Sequence, residues 1–203
     1  NDEILVPSLT FVGTINPILY TNAIPNFIDI NIDNHSVCPL KLEEYLKKNT
    51  IQKNKKCFNK KTKRRVKALI VVHVFGQIGY IDDLVNLAKK YNLKLIEDGA
   101  ESLGSTYLNN HAGTFGDAGI LSFNGNKIIT TSGGGALLSN NTDWIQKARF
   151  LSTQARDQAI HYQHSELGYN YRLSNVLAGI GVGQMEQIDE FVNLRKQKNS
   201  LWK

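Results

Sequence analysis

The stretch Gly119-Ile120-Leu121-Ser122-Phe123-Asn124-Gly125-Asn126-Lys127 places a short apolar strand directly before a polar turn that contains a lysine. It is followed by Thr130-Thr131-Ser132-Gly133-Gly134-Gly135, so this region is rich in hydroxyl side chains and glycine. Upstream, the apolar run Leu93-Lys94-Leu95-Ile96-Glu97-Asp98 also ends in a polar residue, here a carboxylate. Buried strands that end in polar side chains are typical of a sheet whose carboxyl edge forms a binding site.

Short apolar runs alternate with amphipathic segments along the chain, and this predicts alternating strands and helices. Strands are predicted at residues 4–6, 26–30, 68–74, 93–97, 118–123 and 135–139. Helices are predicted at residues 10–19, 40–48, 81–91, 142–151 and 174–198. For the first helix we expect Ser8 or Thr10 as the cap and strain or a kink at Pro17. The alternation predicts an α/β fold with a mostly parallel sheet flanked by helices.

Lys127 and Asp98 both lie where a predicted strand ends, and together they suggest a cofactor. Such a pair suits pyridoxal phosphate (PLP): the lysine would form a Schiff base, and the aspartate would pair with the protonated pyridine nitrogen. Ser122 and His73 also lie at or near strand ends. A histidine that ends a buried strand is more often a satisfied core residue than a site residue, so we favour that role for His73.

The composition is that of an ordinary globular protein. The chain has 203 residues, 41% of them hydrophobic and 21% charged, enough for one sizeable domain with a core. No apolar run approaches the roughly 18 residues of a membrane-spanning helix. Neither Cys38 nor Cys57 has a CxxC or CxxH neighbour. We therefore predict no metal site, no disulfide framework and a cytoplasmic location.

The net charge of +6 is concentrated in residues 47–67, which we call the basic segment. This segment holds 11 basic and no acidic residues, whereas the rest of the chain has 13 basic and 18 acidic residues. A nucleic-acid-binding patch and a solvent-exposed loop between a helix and the next strand are both possible. The segment has one aromatic residue, Phe58, and no recognition motif. We therefore favour the loop and expect no nucleic-acid partner.

Five stretches of the chain resemble the DegT/DnrJ/StrS family, the nucleotide-sugar aminotransferases of fold type I. In family order they are Val6-Pro7-Ser8-Leu9-Thr10-Phe11-Val12-Gly13-Thr14, His73-Val74-Phe75-Gly76-Gln77, Glu97-Asp98-Gly99-Ala100-Glu101-Ser102-Leu103-Gly104, Gly116 to Gly135, and Gly168-Tyr169-Asn170-Tyr171-Arg172-Leu173-Ser174. They span nearly the whole chain. The residues within these stretches are most similar to those of enzymes of the legionaminic-acid and perosamine type. The resemblance implies the large domain of a fold type I PLP transferase, a three-layer α/β/α structure.

The resemblance assigns roles to individual residues. Lys127 matches the Schiff-base lysine, which later moves protons, and Asp98 matches the aspartate at the pyridine nitrogen. Ser122 matches a serine that binds the cofactor phosphate, and Phe11 matches the aromatic residue that stacks on the ring. Asn170 and Arg172 match a loop that reaches the phosphate in a neighbouring subunit, which implies a homodimer with a shared active site.

Glu101 and Lys127 bear on which branch of the family the chain resembles. Glu101 takes a place where many relatives carry glutamine or histidine near the phenolic oxygen of the cofactor. A carboxylate there is unfavourable unless it is protonated or turned away, so we interpret Glu101 as a subgroup marker. In one branch a histidine replaces the lysine and the chemistry becomes dehydration. A lysine at position 127 therefore favours transamination.

The resemblance also implies a substrate and a longer protein. We expect amino transfer, usually from glutamate, to C4 of a nucleotide-linked 6-deoxy-4-keto hexose, for bacterial surface polysaccharide or nonulosonic acid. Relatives carry a phosphate-binding turn upstream and a smaller domain downstream. We therefore predict that residues 1–173 are part of a cofactor domain lacking its N-terminal part. Residues 174–203 would form a long helix leading to a C-terminal domain outside this chain.

Two other classes of function are weaker hypotheses. A nucleotide-binding domain on a doubly wound sheet would need a GxGxxG turn after its first strand. The chain offers only Gly116-Asp117-Ala118-Gly119 and the triple glycine, and neither is placed correctly. A binding or regulatory module acting through the basic segment would bind an acidic partner with strong salt dependence. It has no motif to support it.

Overall fold

A computed structural model describes residues 1–201 and divides the chain into two compact units. The first unit covers Asn1–Ile120 and the second begins at Leu121. Each unit is described by itself. No helix in the described part of the chain is long and apolar enough to cross a bilayer.

The first unit contains three α-helices, one short 3₁₀ turn and most of the strands. The helices are α1 (Val12–Tyr20), α2 (Pro39–Asn49) and α3 (Ile81–Lys90), and the 3₁₀ turn covers Val74–Gly76. The strands are β1 (Glu3–Pro7), β2 (Ile24–Ile28), β3 (Thr50–Lys53), β4 (Lys56–Asn59), β5 (Arg65–Val72), β6 (Lys94–Asp98), β7 (Thr106–Tyr107), β8 (Asn110–His111) and β9 (Ala118–Ser122), which continues into the second unit.

The sheet of the first unit is mostly parallel, with the order β9-β6-β5-β1-β2. All four neighbouring pairs along this path are parallel, and only β4 and β3 are added antiparallel beyond β5. The carboxyl ends of β1, β5, β6 and β9 therefore lie along one edge. This confirms the predicted mostly parallel α/β sheet.

Strand β5 is buried on both faces, and its alternating side chains separate two apolar layers. Leu69 and Val71 belong to a core that also contains Leu42 of α2 and Leu84 of α3. Ile70 belongs to a second cluster with Val6 of β1 and Ile18 of α1. Helices therefore cover both faces of the sheet, as the three-layer prediction requires.

The central part of the basic segment, residues 50–59, forms a β-hairpin, so the predicted loop was wrong there. Strands β3 and β4 pair antiparallel with Ile51 opposite Phe58, and the connecting Asn54 and Lys55 have φ values of 50° and 54°. Positive φ at both central residues is the geometry of a two-residue hairpin turn. The lysines conceal the strand alternation in the sequence, because exposed positions at a sheet edge accept charged side chains readily.

Helix α1 begins later than predicted, and neither predicted cap is used. Its N-cap is Phe11, which makes no side-chain capping bond. The hydroxyl of Thr10 instead lies 2.7 Å from the hydroxyl of Thr14. Pro17 lies inside the helix, which continues to Tyr20, because a proline there removes only one intrahelical hydrogen bond.

The described part of the second unit contains one further strand and three helices. Besides the end of β9, these are β10 (Gly135–Leu138), α4 (Thr142–Ser152), α5 (Asn175–Met185) and α6 (Ile188–Ser200). Asn141 caps α4, where its side chain accepts a 3.1 Å hydrogen bond from the Trp144 amide. Strand β10 follows β9 in the sheet order.

The single helix predicted over residues 174–198 is two helices, so this prediction was wrong. Glu186 keeps helical angles, but Gln187 has φ −107° and ψ 8° and separates α5 from α6. A departure at one residue leaves the apolar periodicity on both sides almost unchanged. The sequence pattern therefore could not reveal the break.

The hairpin turn yields a stability prediction. Lysine at φ 54° is strained, whereas glycine adopts this angle freely and is favoured after asparagine in such turns. We expect Lys55→Gly to raise the free energy of unfolding by about 0.5–1 kcal/mol, measured by urea denaturation. Lys53→Gly, within β3, should lower it, and an equal decrease in both variants would contradict the turn geometry.

Candidate active site

Asp98 ends β6 and is held in a fixed orientation. Its side chain is buried, and its Oδ2 accepts a 2.5 Å hydrogen bond from Thr14 Oγ1. Its Oδ1 accepts a 3.1 Å hydrogen bond from the main-chain N–H of Ala100. Both donors are neutral, so they orient the carboxylate without neutralising it. Such a group can pair with a cationic partner.

Thr14 was not predicted as a site residue. It lies in the first turn of α1, and its main-chain N–H donates a 3.0 Å hydrogen bond to the carbonyl of Phe11. Phe11 is 82% exposed, so its ring is available to contact a ligand. The first turn of α1 thus supplies both a hydroxyl donor for Asp98 and an exposed aromatic ring. A hydroxyl three residues after Phe11 was the signal that sequence reasoning missed.

Glu101 is exposed and bonded to the turn that follows β5. Its Oε2 accepts a 2.8 Å hydrogen bond from the main-chain N–H of Phe75. Phe75 has a positive φ of 54°, and Gly76 one of 80°. A Cβ on Gly76 would lie 3.1 Å from the carbonyl of Glu101. The close approach and the positive φ explain the glycine, and the Phe75 bond orients the Glu101 carboxylate.

Glu97 and His73 form a buried pair beside this edge. The Glu97 side chain is fully buried, and its Oε2 lies 2.8 Å from His73 Nε2. Its two oxygens also accept hydrogen bonds from the amides of Gly113 (2.8 Å), Phe115 (2.7 Å) and Gly116 (2.6 Å). His73 is 1% exposed, which confirms that it is a core residue, but its Nδ1 has no hydrogen-bond partner among the described residues, so the prediction of a fully satisfied histidine was wrong. Sequence reasoning had assigned no role to Glu97.

The hydrogen bonds to Glu97 lower the pKa of its carboxyl by more than burial raises it. Burial raises the pKa of this carboxyl, but the bonds from His73 and from the amides of Gly116 and Gly113 lower it. The net result is a pKa below the ordinary value of 4.5. The ionised form is therefore stabilised in the folded protein.

Ser122 and Lys127 belong to the second unit, in the turn that follows β9. Ser122 Oγ accepts a 3.3 Å hydrogen bond from the Asn124 amide, and the Lys127 amide donates a 3.0 Å bond to the Asn124 carbonyl. The Phe123 carbonyl accepts the Thr131 amide at 2.9 Å, which closes the turn around both residues. Both side chains are half-buried. The turn therefore holds a hydroxyl and an amine in one short segment.

The triple glycine closes the same turn against β9. The Phe123 amide donates a 3.0 Å hydrogen bond to the Gly134 carbonyl. A Cβ on Gly135 would lie only 2.3 Å from the carbonyl of Leu121. Only glycine allows the two backbones to approach this closely. The glycine cluster therefore has a packing role within the second unit.

Asn170 and Arg172 lie on an exposed loop of the second unit, next to Leu173, whose side chain approaches Gly134. Asn170 forms an isolated antiparallel bridge with Thr153. Tyr169 and Tyr171 stack with ring centroids 5.0 Å apart. Both predicted side chains are exposed, as a contact with another subunit requires. Their role at a partner's cofactor stays a prediction.

The predicted site residues thus fall into two groups. In the first unit, Asp98 and Phe11 are linked through Thr14, and Glu101 follows Asp98 closely in the chain. In the second unit, Ser122 and Lys127 share one turn. Among the described residues, no group of three or more His, Cys, Asp or Glu side chains could hold a metal ion. Cys38 and Cys57 are free thiols.

Comparison with known proteins adds an independent finding. The model of the DegT/DnrJ/EryC1/StrS aminotransferase family matches residues 1–203. EpsN of Bacillus subtilis (strain 168), provisionally named a pyridoxal phosphate-dependent aminotransferase, is 50% identical over 195 residues, covering 96% of this chain and 48% of EpsN. GDP-perosamine synthase of Caulobacter vibrioides is 36% identical over 196 residues, covering 97% of this chain and 48% of the relative.

Solved structures show the same fold. Helicobacter pylori PseC, described as an aminotransferase involved in the biosynthesis of pseudoaminic acid, matches with a TM-score of 0.80 and 26% identity. The match covers 93% of this chain and 47% of PseC. This confirms the predicted fold type I architecture. The chain spans about half the length of the curated relatives it matches.

The buried Glu97 yields a prediction about stability and pH. Because its folded pKa is lowered below 4.5, its ionisation stabilises the protein above that value. This contribution is lost as the pH falls through the folded pKa. We expect Glu97→Gln to lower the free energy of unfolding by about 2 kcal/mol near neutral pH, with a smaller difference below about pH 4.

The control is Glu44→Gln, which removes an exposed carboxylate 4.0 Å from Lys41. Its free energy of unfolding should stay close to that of the wild type at each pH. Denaturant titrations at several pH values measure all three proteins. If the loss of unfolding free energy in Glu97→Gln grew as the pH fell, this would contradict the conclusion that the ionised form of Glu97 is the stabilised one.

Proposed function

The chain belongs to the DegT/DnrJ/EryC1/StrS aminotransferase family, and from this premise we propose that the whole protein is a PLP-dependent sugar aminotransferase. The observation that carries the proposal is Asp98, a buried carboxylate at the carboxyl end of β6 that Thr14 and Ala100 hold in place. The family alone would leave open whether this chain keeps the groups that the chemistry needs. The oriented carboxylate of Asp98 supports the proposal that it does.

The residues present fit PLP by their chemistry. Asp98 is a fixed anionic acceptor suited to a protonated pyridine nitrogen, and the exposed ring of Phe11 offers a stacking surface. The hydroxyl of Ser122 suits the phosphate, and the amine of Lys127 suits the aldehyde. Glu101 would lie near the phenolic oxygen, where its bond to the Phe75 amide restrains it. When bound, PLP supplies a ring that accepts electrons from the substrate carbon.

The chain's own residues then handle orientation and protons. Asp98 would keep the ring nitrogen protonated. The Thr14 hydroxyl, through its hydrogen bond, would hold the Asp98 carboxylate in the orientation for this contact. The Lys127 amine takes a proton from the substrate carbon of the amino donor and later returns one to the carbon of the acceptor. The closed turn around Lys127 restricts the backbone from which the amine extends. Such restriction reduces the entropy lost in reaching the reactive geometry.

The acceptor we propose is a nucleotide-linked keto sugar, aminated at C4 of a 6-deoxy-4-keto hexose. The support is the likeness to a GDP-perosamine synthase and the chain's perosamine-type motifs around Asp98 and Lys127. We propose glutamate as the amino donor and a ping-pong reaction in two half-reactions. The product would enter bacterial surface polysaccharide or nonulosonic acid.

We further propose a homodimer with a shared active site in the cytoplasm. The exposed loop with Asn170 and Arg172 supports it, since an arginine fork suits a partner's cofactor phosphate. Two free cysteines fit a reducing compartment. Residues 1–173 would belong to the cofactor domain. Residues 174–203, of which the last two lie outside the described part, would lead towards a further domain.

The alternative functions have less support. A dinucleotide-binding domain needs a glycine-rich turn after its first strand, but β1 is followed by Ser8 to Phe11 and then α1. A binding module acting through the basic segment was suggested because that segment was interpreted as a loop. The central part of the segment is instead an integral hairpin of the sheet.

The anchoring role of Lys127 can be tested directly. The full-length protein, incubated with PLP, should gain a visible absorbance band. Borohydride reduction should then place a phosphopyridoxyl label on Lys127, as detected by mass spectrometry. Lys127→Ala should lose both the label and turnover by a factor of about 10³ or more. Lys147→Ala, an exposed lysine of the same unit, should behave as wild type. Turnover retained by Lys127→Ala would overturn the proposal.

The support of Asp98 by Thr14 yields a second test. Thr14→Val removes the hydroxyl that donates to Asp98, so we expect PLP to dissociate about tenfold more readily. Thr21→Val is the matched control, because its hydroxyl lies at the other end of α1 and donates to the carbonyls of Pro17 and Ile18, not to Thr14 or Asp98. Spectroscopic titration with PLP measures both variants. Equal losses in the two variants would show that Thr14 does not act through Asp98.

A further inference from the structure

A cavity lies in the first unit, at the edge of the sheet opposite Asp98. Its volume is about 510 Å³, within the usual range for small-molecule sites. Its walls come from the hairpin turn, the C-terminal end of α3, the start of β6 and the residues just before β9. These are the amino ends of the parallel strands β6 and β9. The cavity is therefore separate from the carboxyl edge.

The charge of this cavity is strongly cationic. Its lining includes the side chains of Lys55, Arg65, Lys89 and Lys94, against the single carboxylate of Asp117. That carboxylate is already engaged, because its Oδ1 lies 2.6 Å from Lys94 Nζ and its Oδ2 accepts the Leu95 amide at 2.9 Å. The other three cationic residues line the cavity without a second carboxylate among the lining residues.

Arg65 has a buried donor that the described residues do not satisfy. The residue is half-buried, and its Nε is buried without a hydrogen-bond partner among the described residues. A buried guanidinium donor left unpaired is costly. An anion in the cavity would accept from it, and the planar guanidinium suits phosphate oxygens.

The walls of the cavity are preformed. Gln52 of β3 donates a 2.9 Å hydrogen bond to the carbonyl of Lys90, at the end of α3. Its other amide atom, Oε1, accepts a 2.8 Å bond from the side chain of Asn92, between α3 and β6. These two bonds fix the hairpin against the helix. A ligand would therefore lose little affinity to ordering the walls.

We propose that this cavity binds a small phosphate-bearing anion, with Arg65 and Lys89 as its main contacts. A phosphate group carries more than one negative charge and several acceptor oxygens. It therefore matches three clustered cations better than a ligand with a single carboxylate would. Leu93 and Phe115 also line the cavity. They offer an apolar wall for a group attached to the phosphate, so the anion can be inorganic or a nucleotide.

The test is calorimetric titration of the full-length protein. The protein is first saturated with PLP, so that the cofactor's own phosphate occupies its site and the added probe cannot bind there. Inorganic pyrophosphate and adenosine diphosphate are the two probes. We expect Arg65→Gln and Lys89→Gln each to weaken binding about tenfold or more. Lys61→Gln removes the same charge from the basic segment at a residue that does not line the cavity. It should change the affinity by less than about twofold.

The outcomes separate a site from a diffuse charge effect. Equal weakening by Lys61→Gln and Arg65→Gln, or unchanged binding in Arg65→Gln, would overturn the proposal. Tighter binding of adenosine diphosphate than of pyrophosphate would assign the site to a nucleotide, and the reverse would assign it to an inorganic anion. Without a probe, Arg65→Gln should not lower the unfolding temperature, because it removes a cation from a like-charged cluster. A lowered temperature would make Arg65 structural and contradict the proposal.

Discussion

The structure around the candidate site depends on one buried carboxylate, Glu97. It gathers His73 from the end of β5 and three amides of the segment Gly113–Gly116. These groups come from chain positions far apart, and none of the three amides lies in a strand of the sheet. A carboxylate without such donors could not stay ionised at this depth. The network therefore orders the segment that leads into β9, and β9 in turn leads to the turn with Lys127.

Glu97 and Asp98 are neighbours in one strand, and the alternation of strand side chains separates their roles. Successive residues of a strand face opposite sides of the sheet. Glu97 bonds the segment Gly113–Gly116, whereas Asp98 bonds Thr14 of α1, on the side of the second apolar cluster. The end of β6 thus provides Glu97, a carboxylate with a structural role, on one side of the sheet. On the other side it provides Asp98, the carboxylate proposed to bind the cofactor. A change at Glu97 would reach Asp98 through the shared backbone.

The sequence predicts most of the sheet because its strands are apolar runs that end at polar residues. Strands β5, β6 and β9 could be recognised from composition alone. The hairpin was missed because lysines occupy its exposed positions, and the break at Gln187 because one residue does not disturb helical periodicity. The place of Asp98 at a strand end was predictable, and Lys127 lies in the turn that follows β9, whereas the roles of both residues stay predictions. Thr14 and Glu97 were not predictable, because their importance lies in contacts with distant residues, which periodicity does not encode.

The concentration of charge in the basic segment has a structural explanation for most of its residues. Strand β3 pairs only with β4, so it is an edge strand, and lysines on an edge oppose pairing with another chain. This accounts for exposed cations such as Lys53 and Lys56. It does not account for Arg65, whose Nε is buried, because a cation meant to repel other chains gains nothing from losing its hydration. A buried Nε without a hydrogen-bond partner among the described residues, in the wall of a preformed cavity, is better explained by a ligand than by edge protection.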